Sequence, residues 1–112
     1  MRRGEIYYAN LDPAVGSETQ KKRPVLIVSN NANNKMASTI TIVPLTSNTN
    51  KIYPFEVLFV KSETGLKKDS KAQCNQVRTI SKIRLSNKKA IGVVRASLME
   101  RVNAALQLHL AI

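Results

Sequence analysis

Histidine and cysteine are almost absent from this sequence, which holds one residue of each, His109 and Cys74. A single cysteine excludes an internal disulfide, and one cysteine with one histidine cannot supply the ligands of a structural zinc site. His109 lies in an apolar stretch near the C-terminus, where an ordinary helix residue at the domain edge is the better interpretation. A Ser-His-Asp or Cys-His catalytic mechanism is therefore not expected.

Long apolar runs are also missing. Runs such as Val25–Val28 are far shorter than the roughly 18 residues that a transmembrane helix needs, and no signal-peptide apolar region follows Met1. We therefore expect a soluble, cytoplasmic protein with no membrane partner. Its 112 residues match the size of one domain, so residues 1–112 are expected to form a single domain.

Acidic residues are scarce: seven Asp and Glu stand against 18 Lys and Arg, which gives a net charge of +11. The basic residues cluster in several predicted loops, at Arg2–Arg3, Lys21–Arg23, Lys67–Lys71 and Lys88–Lys89. Such a charge favours binding to a polyanion, because each neutralised phosphate releases counterions. Single-stranded RNA suits a domain of strands and loops better than the DNA major groove, which is usually read by a basic helix.

Alternating apolar and β-branched residues predict a mainly antiparallel β domain. Strands are expected at Glu5–Asn10, Val25–Val28, Thr39–Val43, Phe55–Val60 and Ala72–Ile80.

Loops are expected between these strands. Asp12–Lys22 has no apolar period and predicts a long exposed loop, a length that more often indicates function than mere connection. The asparagines of Asn30–Asn34 predict a turn or irregular loop, Pro44 is expected to end the third strand, and Gly65 with Lys67–Asp69 marks a further turn.

The C-terminal segment changes to a helical period. Ser97–Glu100 has the form of a capping box, which predicts a helix start there, and an apolar stripe follows at Leu98, Val102, Ala105, Leu106 and His109. The expected fold is mainly β (α+β), a small SH3-like barrel with a C-terminal helix; a small Greek-key sheet is the alternative.

Five strings of residues, taken together, resemble the MazF/PemK toxin endoribonucleases of type II toxin-antitoxin systems. In chain order they are Arg3–Tyr7, Val15–Glu18 with Arg23–Ser29, Pro44–Ser47, Tyr53–Val57 and Asn75–Ile80. Each string is common by itself, but the ordered set is specific and extends from Arg3 to the C-terminal helix. Two positions depart from the family pattern: Lys21–Lys22 stands where glycine is frequent, and Asn75 where an acid is frequent.

The resemblance implies a homodimer that cuts single-stranded mRNA at short sequences, using no metal and no other cofactor, and leaves a 2′,3′-cyclic phosphate and a 5′-OH. It implies Arg23 and Thr46 as the catalytic pair. Glu18, Lys22, Ser47, Asn75 and Gln76 are the candidate substrate-binding residues. It also implies a cognate antitoxin resembling MazE, whose acidic segment would cover the basic RNA groove.

The chemistry needs no more than these residue types, because RNA carries its own nucleophile, the 2′-OH. The enzyme has to align that hydroxyl with the leaving 5′-oxygen and stabilise the charge that develops on phosphorus. Arginine suits this task because its guanidinium stays charged and presents a planar fork of donors to phosphate oxygens.

Two other interpretations remain open at this stage. A non-catalytic basic module that binds RNA would keep the charge without needing Arg23 and Thr46 together. A toxin of the CcdB type, which shares the fold and poisons gyrase through protein contacts, is the second alternative.

Overall fold

The strands form one curled antiparallel sheet, which the computed structural model describes over residues 1–112. The strands are β1 (Glu5–Asn10), β2 (Lys22–Ile27), β3 (Thr39–Thr46), β4 (Glu56–Phe59), β5 (Ser70–Gln73), β6 (Arg78–Ser81) and β7 (Gly92–Val93). The helices are α1 (Asn31–Met36), α2 (Lys61–Thr64) and α3 (Ala96–Leu110), with single 3-10 turns at Cys74–Gln76 and Lys82–Arg84. The strand order is β4-β5-β3-β2-β1-β7, and β6 also pairs with β3.

Strand β3 organises the sheet because it has three partners. It pairs with β2 along one edge, while along the other its first half pairs with β6 and its last two residues, Leu45 and Thr46, pair with β5. The expectation that Pro44 ends this strand is wrong, since β3 continues to Thr46. Pro44 lies between the residues that pair with β6 and those that pair with β5, and such an interruption of the ladder is where a sheet tolerates proline.

The sheet buries apolar side chains on both faces, because successive side chains of a strand point to opposite faces and its central strands carry consecutive apolar residues. One cluster lies between the sheet and α3 and includes Ile6, Leu26, Leu45 and Phe59. The other lies inside the curl and includes Tyr7, Val25, Ile40 and Ile42. Of the predicted stripe on α3, Leu98, Val102 and Ala105 are buried, Leu106 is half-buried and His109 is exposed.

The asparagine-rich segment is not the irregular loop that its composition predicts. Asn30 caps α1 by accepting a hydrogen bond from the backbone N–H of Asn33 at 2.8 Å. Asn34 is buried and exchanges hydrogen bonds with Ser29, donating from Nδ2 to the Ser29 carbonyl at 2.8 Å. Asparagine is unfavourable inside helices but is among the best N-capping residues. In this segment the capping interaction outweighs the poor helix propensity of the other asparagines.

Two further boundaries differ from prediction. Ala72–Ile80 is not one strand, because the 3-10 turn Cys74–Gln76 separates β5 from β6 and lets each pair with a different part of β3. Helix α3 begins at Ala96 with Arg95 as its N-cap, and the Ser97 hydroxyl accepts from the Arg95 guanidinium, so the capping box does not form the helix start. None of the helices combines the length and apolar character needed to cross a membrane.

The prediction of a mainly β fold closed by a C-terminal helix is confirmed.

Candidate functional site

Arg23 and Thr46 lie at the same end of the sheet on neighbouring strands. Arg23 is the second residue of β2 and Thr46 is the last residue of β3. The β2–β3 pairing ends with Val25 opposite Pro44; continued by two residues in the same register, it would set Arg23 opposite Thr46. Since directly opposite residues of an antiparallel pair point to the same face, that register would place the two side chains on one face of neighbouring strands.

The Arg23 side chain is held at one nitrogen. Its Nε donates to the carbonyl oxygen of Gln20 at 2.9 Å, while its two terminal NH2 groups make no hydrogen bond within the protein. The side chain is half-buried. The anchored Nε therefore orients a guanidinium whose outer donors are available to an anion such as a phosphate.

The Thr46 hydroxyl is also available as a donor. Its oxygen accepts a long hydrogen bond of 3.4 Å from the backbone N–H of Asn48, and its proton is not donated to any protein acceptor. The residue is half-buried at the end of the strand. Arginine and threonine together can hydrogen-bond the oxygens of one phosphate placed above this row of the sheet.

The long loop between β1 and β2 is docked beside this row through Thr19. The Thr19 hydroxyl donates to Gln73 Oε1 at 2.8 Å, and the Thr19 backbone N–H donates to Gln76 Oε1 at 3.3 Å. Gln76 is thus brought next to the loop, as its candidate role requires, but its carbonyl oxygen is already engaged. Its amide NH2 group makes no hydrogen bond within the protein.

The other candidate substrate-binding residues are placed less closely. Glu18 is exposed, and its Oε1 accepts from the backbone N–H of Val15 at 3.0 Å, within its own loop. Asn75 is exposed in the 3-10 turn. Lys22 and Ser47 line a cavity of about 210 Å³. Lys22 and Arg23 are successive residues of β2, so their side chains emerge on opposite faces of the strand.

Next to Thr46 across the sheet is Lys71, whose ammonium is buried. Its Nζ lies 3.0 Å from Glu56 Oε1 and donates to the carbonyl of Lys51 at 2.8 Å. Glu56 Oε1 also accepts from the backbone N–H of Tyr53 at 3.0 Å. This network ties down the segment that follows Thr46, which also carries stacked Tyr53 and Phe55 rings with centroids 5.4 Å apart.

Two buried groups have strongly raised pKa values. Burial, together with the nearby Glu56 charge, raises the pKa of the Cys74 thiol to about 12. Burial and the hydrogen bond to Glu5 raise the pKa of Tyr7 to about 12. Both groups are neutral at pH 7, so neither is a base or a nucleophile there.

The structure holds no group of three or more His, Cys, Asp or Glu side chains arranged to bind a metal ion.

Sequence reasoning missed Thr19 and Gln73, which bond each other across 54 residues. It placed Lys71 in a basic loop, but Lys71 lies in β5 and its ammonium is buried in the ion pair with Glu56, a contact across 15 residues that no local pattern indicates. The basic pair Lys67–Lys68 was visible as a charge cluster, but nothing in the sequence shows that it lines the same cavity as Lys22 and Ser47.

Comparison with known proteins agrees with this architecture over the whole chain. The family model described as "PemK-like, MazF-like toxin of type II toxin-antitoxin system" matches residues 2–110. Endoribonuclease MazF9 of Mycobacterium tuberculosis is 47% identical over 98% of this chain and 96% of its own length. Endoribonuclease EndoA of Bacillus subtilis is 35% identical over 100% of this chain and 96% of its own length.

Solved structures show the same fold. A mycobacterial endoribonuclease solved in complex with its cognate antitoxin superimposes with a TM-score of 0.81 at 27% identity, covering 100% of this chain and 96% of that one. MazF of Deinococcus radiodurans superimposes with a TM-score of 0.84 over 100% of this chain and 97% of that one, and at 23% identity it supports the fold alone.

Proposed function

Because this chain belongs to the PemK-like, MazF-like family of type II toxin-antitoxin toxins, we propose that it is a metal-independent endoribonuclease that cuts single-stranded RNA, mRNA in the cell, at a short recognition sequence. The observation that supports this proposal is that Arg23 and Thr46 lie at the same end of the neighbouring strands β2 and β3, each with unused donors. The net charge of +11 supports a polyanionic substrate.

The reaction is an internal transesterification. The 2′-oxygen of one nucleotide forms a bond to the adjacent phosphorus as the bond from phosphorus to the 5′-oxygen breaks. The 2′-OH loses its proton and the leaving 5′-oxygen gains one, so the products are a 2′,3′-cyclic phosphate and a 5′-OH. No water, metal ion or cofactor enters this balance.

Arg23 and Thr46 act on the scissile phosphate. The guanidinium neutralises the additional negative charge that develops on the phosphorane oxygens, and it carries protons that can be passed to the leaving oxygen. The Thr46 hydroxyl donates a hydrogen bond to the same phosphate. Such preorganised donors contribute most where charge develops, in the transition state, rather than to ground-state binding.

The remaining candidates position the substrate. Lys22 is a point charge for a flanking phosphate, while Ser47, Asn75 and the free NH2 group of Gln76 offer hydrogen bonds to base edges or ribose. Glu18, one of the two carboxylates of the β1–β2 loop, can orient the 2′-OH if it leaves its contact with Val15.

The decisive experiment is cleavage of a long single-stranded RNA in EDTA, with the 5′ ends of the products mapped and their chemistry determined. We expect discrete cuts with 5′-OH ends. Arg23→Ala should abolish them, whereas Arg2→Ala, which removes the same charge from an exposed residue at the N-terminus, should leave them intact. Circular dichroism checks that both variants fold.

Other outcomes point to the alternatives. RNA that is bound but uncut would favour a non-catalytic binding module. Toxicity that persists in Arg23→Ala would contradict the ribonuclease assignment and would make gyrase the next target to test.

We further propose that the protein is neutralised in the cytoplasm by an acidic antitoxin resembling MazE and that it forms a homodimer. Leu108, an exposed apolar residue near the C-terminal end of α3, lines a groove that also contains Pro54 and Val57, and Leu110 is exposed at the same end of the helix. Burying this surface against a second copy would remove exposed apolar area from water. Light scattering of the purified protein tests the dimer, and a single-chain mass would reject it.

A further inference from the structure

At the end of the sheet where Arg23 and Thr46 lie, the structure contains a strongly basic cavity of about 210 Å³, lined by Arg23 together with Lys22 and Pro24 beside it on β2. Resting on the proposed function, we propose that this cavity binds one nucleotide of the RNA that flanks the scissile phosphate. Its rim carries Lys22, Arg23, Lys67 and Lys68, and no carboxylate lines it.

The charges of the cavity are not neutralised within the protein. The two ion pairs of the molecule join Lys71 to Glu56 and Arg95 to Glu63, so none of the rim cations has a carboxylate partner. Four unpaired cations around one small opening attract an anion more strongly than the same charges dispersed over the surface.

The floor of the cavity has the character of a site for a base or ribose. It is formed by Pro24, Leu45 and Leu66, with the phenol of Tyr8 and the hydroxyls of Ser47 and Ser70 beside them. An apolar floor under a rim of cations suits a nucleotide, which has a flat apolar face and a charged phosphate. The volume lies below the roughly 300–1,000 Å³ of pockets for drug-sized ligands, which suits a single nucleotide better than a longer segment of RNA.

The loop that carries Lys67 and Lys68 is held by hydrogen bonds between its side chains and nearby backbone groups. The Asp69 carboxylate accepts from the Lys61 N–H at 2.9 Å, the Thr64 hydroxyl accepts from the Leu66 N–H at 3.2 Å, and the buried Ser70 hydroxyl donates to the Lys68 carbonyl at 3.3 Å.

Two glycines allow the start of this loop to pack closely against the segment Ile91–Gly92. A Cβ on Gly92 would come within 1.8 Å of the Thr64 carbonyl oxygen, and one on Gly65, at φ +77°, within 2.7 Å of the Ile91 carbonyl oxygen. The backbone at Thr64 and Gly65, just before the two lysines, is therefore packed closely against Ile91 and Gly92, whereas the lysine side chains are exposed.

Continuity with the proposed active site determines which nucleotide occupies the cavity. Arg23 lines the cavity and lies at the same end of the sheet as Thr46, while Lys22 and Ser47, which also line it, adjoin these two residues in sequence. An RNA strand that passes over this end of the sheet therefore meets the proposed catalytic pair and the cavity together. The occupant is thus a close neighbour of the scissile phosphate.

The test compares two double variants that remove the same charge. Lys67→Ala/Lys68→Ala removes the cavity rim, and Lys88→Ala/Lys89→Ala removes two exposed lysines that do not line the cavity. Cleavage of a labelled single-stranded RNA is measured in EDTA over a range of salt concentrations. We expect the cavity variant to raise KM severalfold with kcat unchanged, and to lower the salt slope of RNA binding by about 0.7 for each lost phosphate contact.

Substrate truncation provides the second measurement. The RNA is shortened by one nucleotide at a time from either side of the cut. Removal of the nucleotide that occupies the cavity should raise the KM of the wild-type and control proteins but leave the KM of the cavity variant unchanged. Equal KM and salt slopes in the two double variants would overturn the inference, as would a loss confined to kcat.

Two further outcomes separate this inference from its premise. If the wild-type protein does not cut RNA, the proposed function fails, and fluorescence anisotropy of the same RNA still tests whether the cavity lysines bind it more strongly than the control pair. If the cavity variant keeps its RNA affinity and loses affinity for poly-L-glutamate, the cavity serves an acidic protein segment and the nucleotide assignment is wrong.

Discussion

The ammonium of Lys71 and the carboxylate of Glu56 form a buried ion pair with 3.0 Å between Nζ and Oε1, one strand away from Thr46. The two side chains are only 10% and 4% exposed. Through the Lys51 carbonyl and the Tyr53 N–H, the pair holds the segment that begins at Ser47. The position of Thr46 at the end of β3 therefore depends on charges that lie outside the proposed catalytic pair.

Lys71→Met should destabilise the fold strongly, because it leaves the Glu56 carboxylate buried without its counter-charge. Breaking a buried ion pair in this way costs about 3–5 kcal/mol. The double variant Lys71→Met/Glu56→Leu should lose less than the sum of the single variants, since it removes both charges. Urea unfolding of all four proteins measures the coupling, and additive effects of the two single changes would show that the pair has no net interaction.

Thr46→Val removes the hydroxyl while keeping the branched shape of the side chain. A hydrogen bond to a charged group contributes about 1.5–3 kcal/mol, so we expect kcat for RNA cleavage to fall about tenfold to a hundredfold with a smaller change in KM. Thr46→Ser, which restores the hydroxyl, should recover most of the activity. An unchanged kcat in Thr46→Val would remove Thr46 from the catalytic pair.

Lys21→Gly should stabilise the protein. Lys21 has φ +71°, a left-handed conformation that costs a residue with a side chain roughly 1–2 kcal/mol and that glycine adopts freely. The gain in unfolding free energy should be about 1 kcal/mol, reduced by the extra freedom of glycine in the unfolded chain. Gly16→Ala, at φ +58° with no atom near its added Cβ, is the reverse control and should destabilise; a melting temperature lowered by Lys21→Gly would contradict this account.

Stability should decline above pH 10 because of Tyr7. The unfolded side chain ionises near pH 10, whereas burial and Glu5 hold the pKa of the folded residue at about 12. Below pH 10 both states carry the proton and the contribution is complete; between pH 10 and 12 the unfolded state ionises first, and stability falls by up to about 1.4 kcal/mol per pH unit. Tyr7→Phe should not show this fall when the unfolding free energies of the two proteins are compared from pH 9 to 12. Parallel curves for the two proteins would disprove the role of Tyr7.

The sequence predicted the elements whose signals are local and strong. The β-branched run Val25–Val28 lies in β2 up to Ile27, and the alternation of Thr39–Val43 lies in β3. The spacing of Leu98, Val102 and Ala105 marks the buried face of α3. In each case the burial of one face requires a period that is visible in the residues themselves.

The errors occurred where a local preference met a tertiary contact. Pro44 did not end β3, because it lies where the strand changes partner. The asparagine cluster formed α1 because Asn30 caps it and Asn34 finds buried partners. The helix start moved to Arg95, whose guanidinium engages both Ser97 and Glu63, a contact across 32 residues that no local pattern indicates.

By itself the sequence determined the charge, the β-rich pattern, the closing helix and the ordered strings that identify the family, because these depend on residue type and short spacing alone. Arg23 and Thr46 entered as candidates through that resemblance. Only the tertiary structure decided that they lie at the same end of the neighbouring strands β2 and β3, that Thr19 docks the long loop onto Gln73 and Gln76, and that Lys67 and Lys68 border the same cavity as Lys22. Strand register and loop docking depend on contacts between distant segments, and those contacts exist only once the sheet has curled and its two faces are buried.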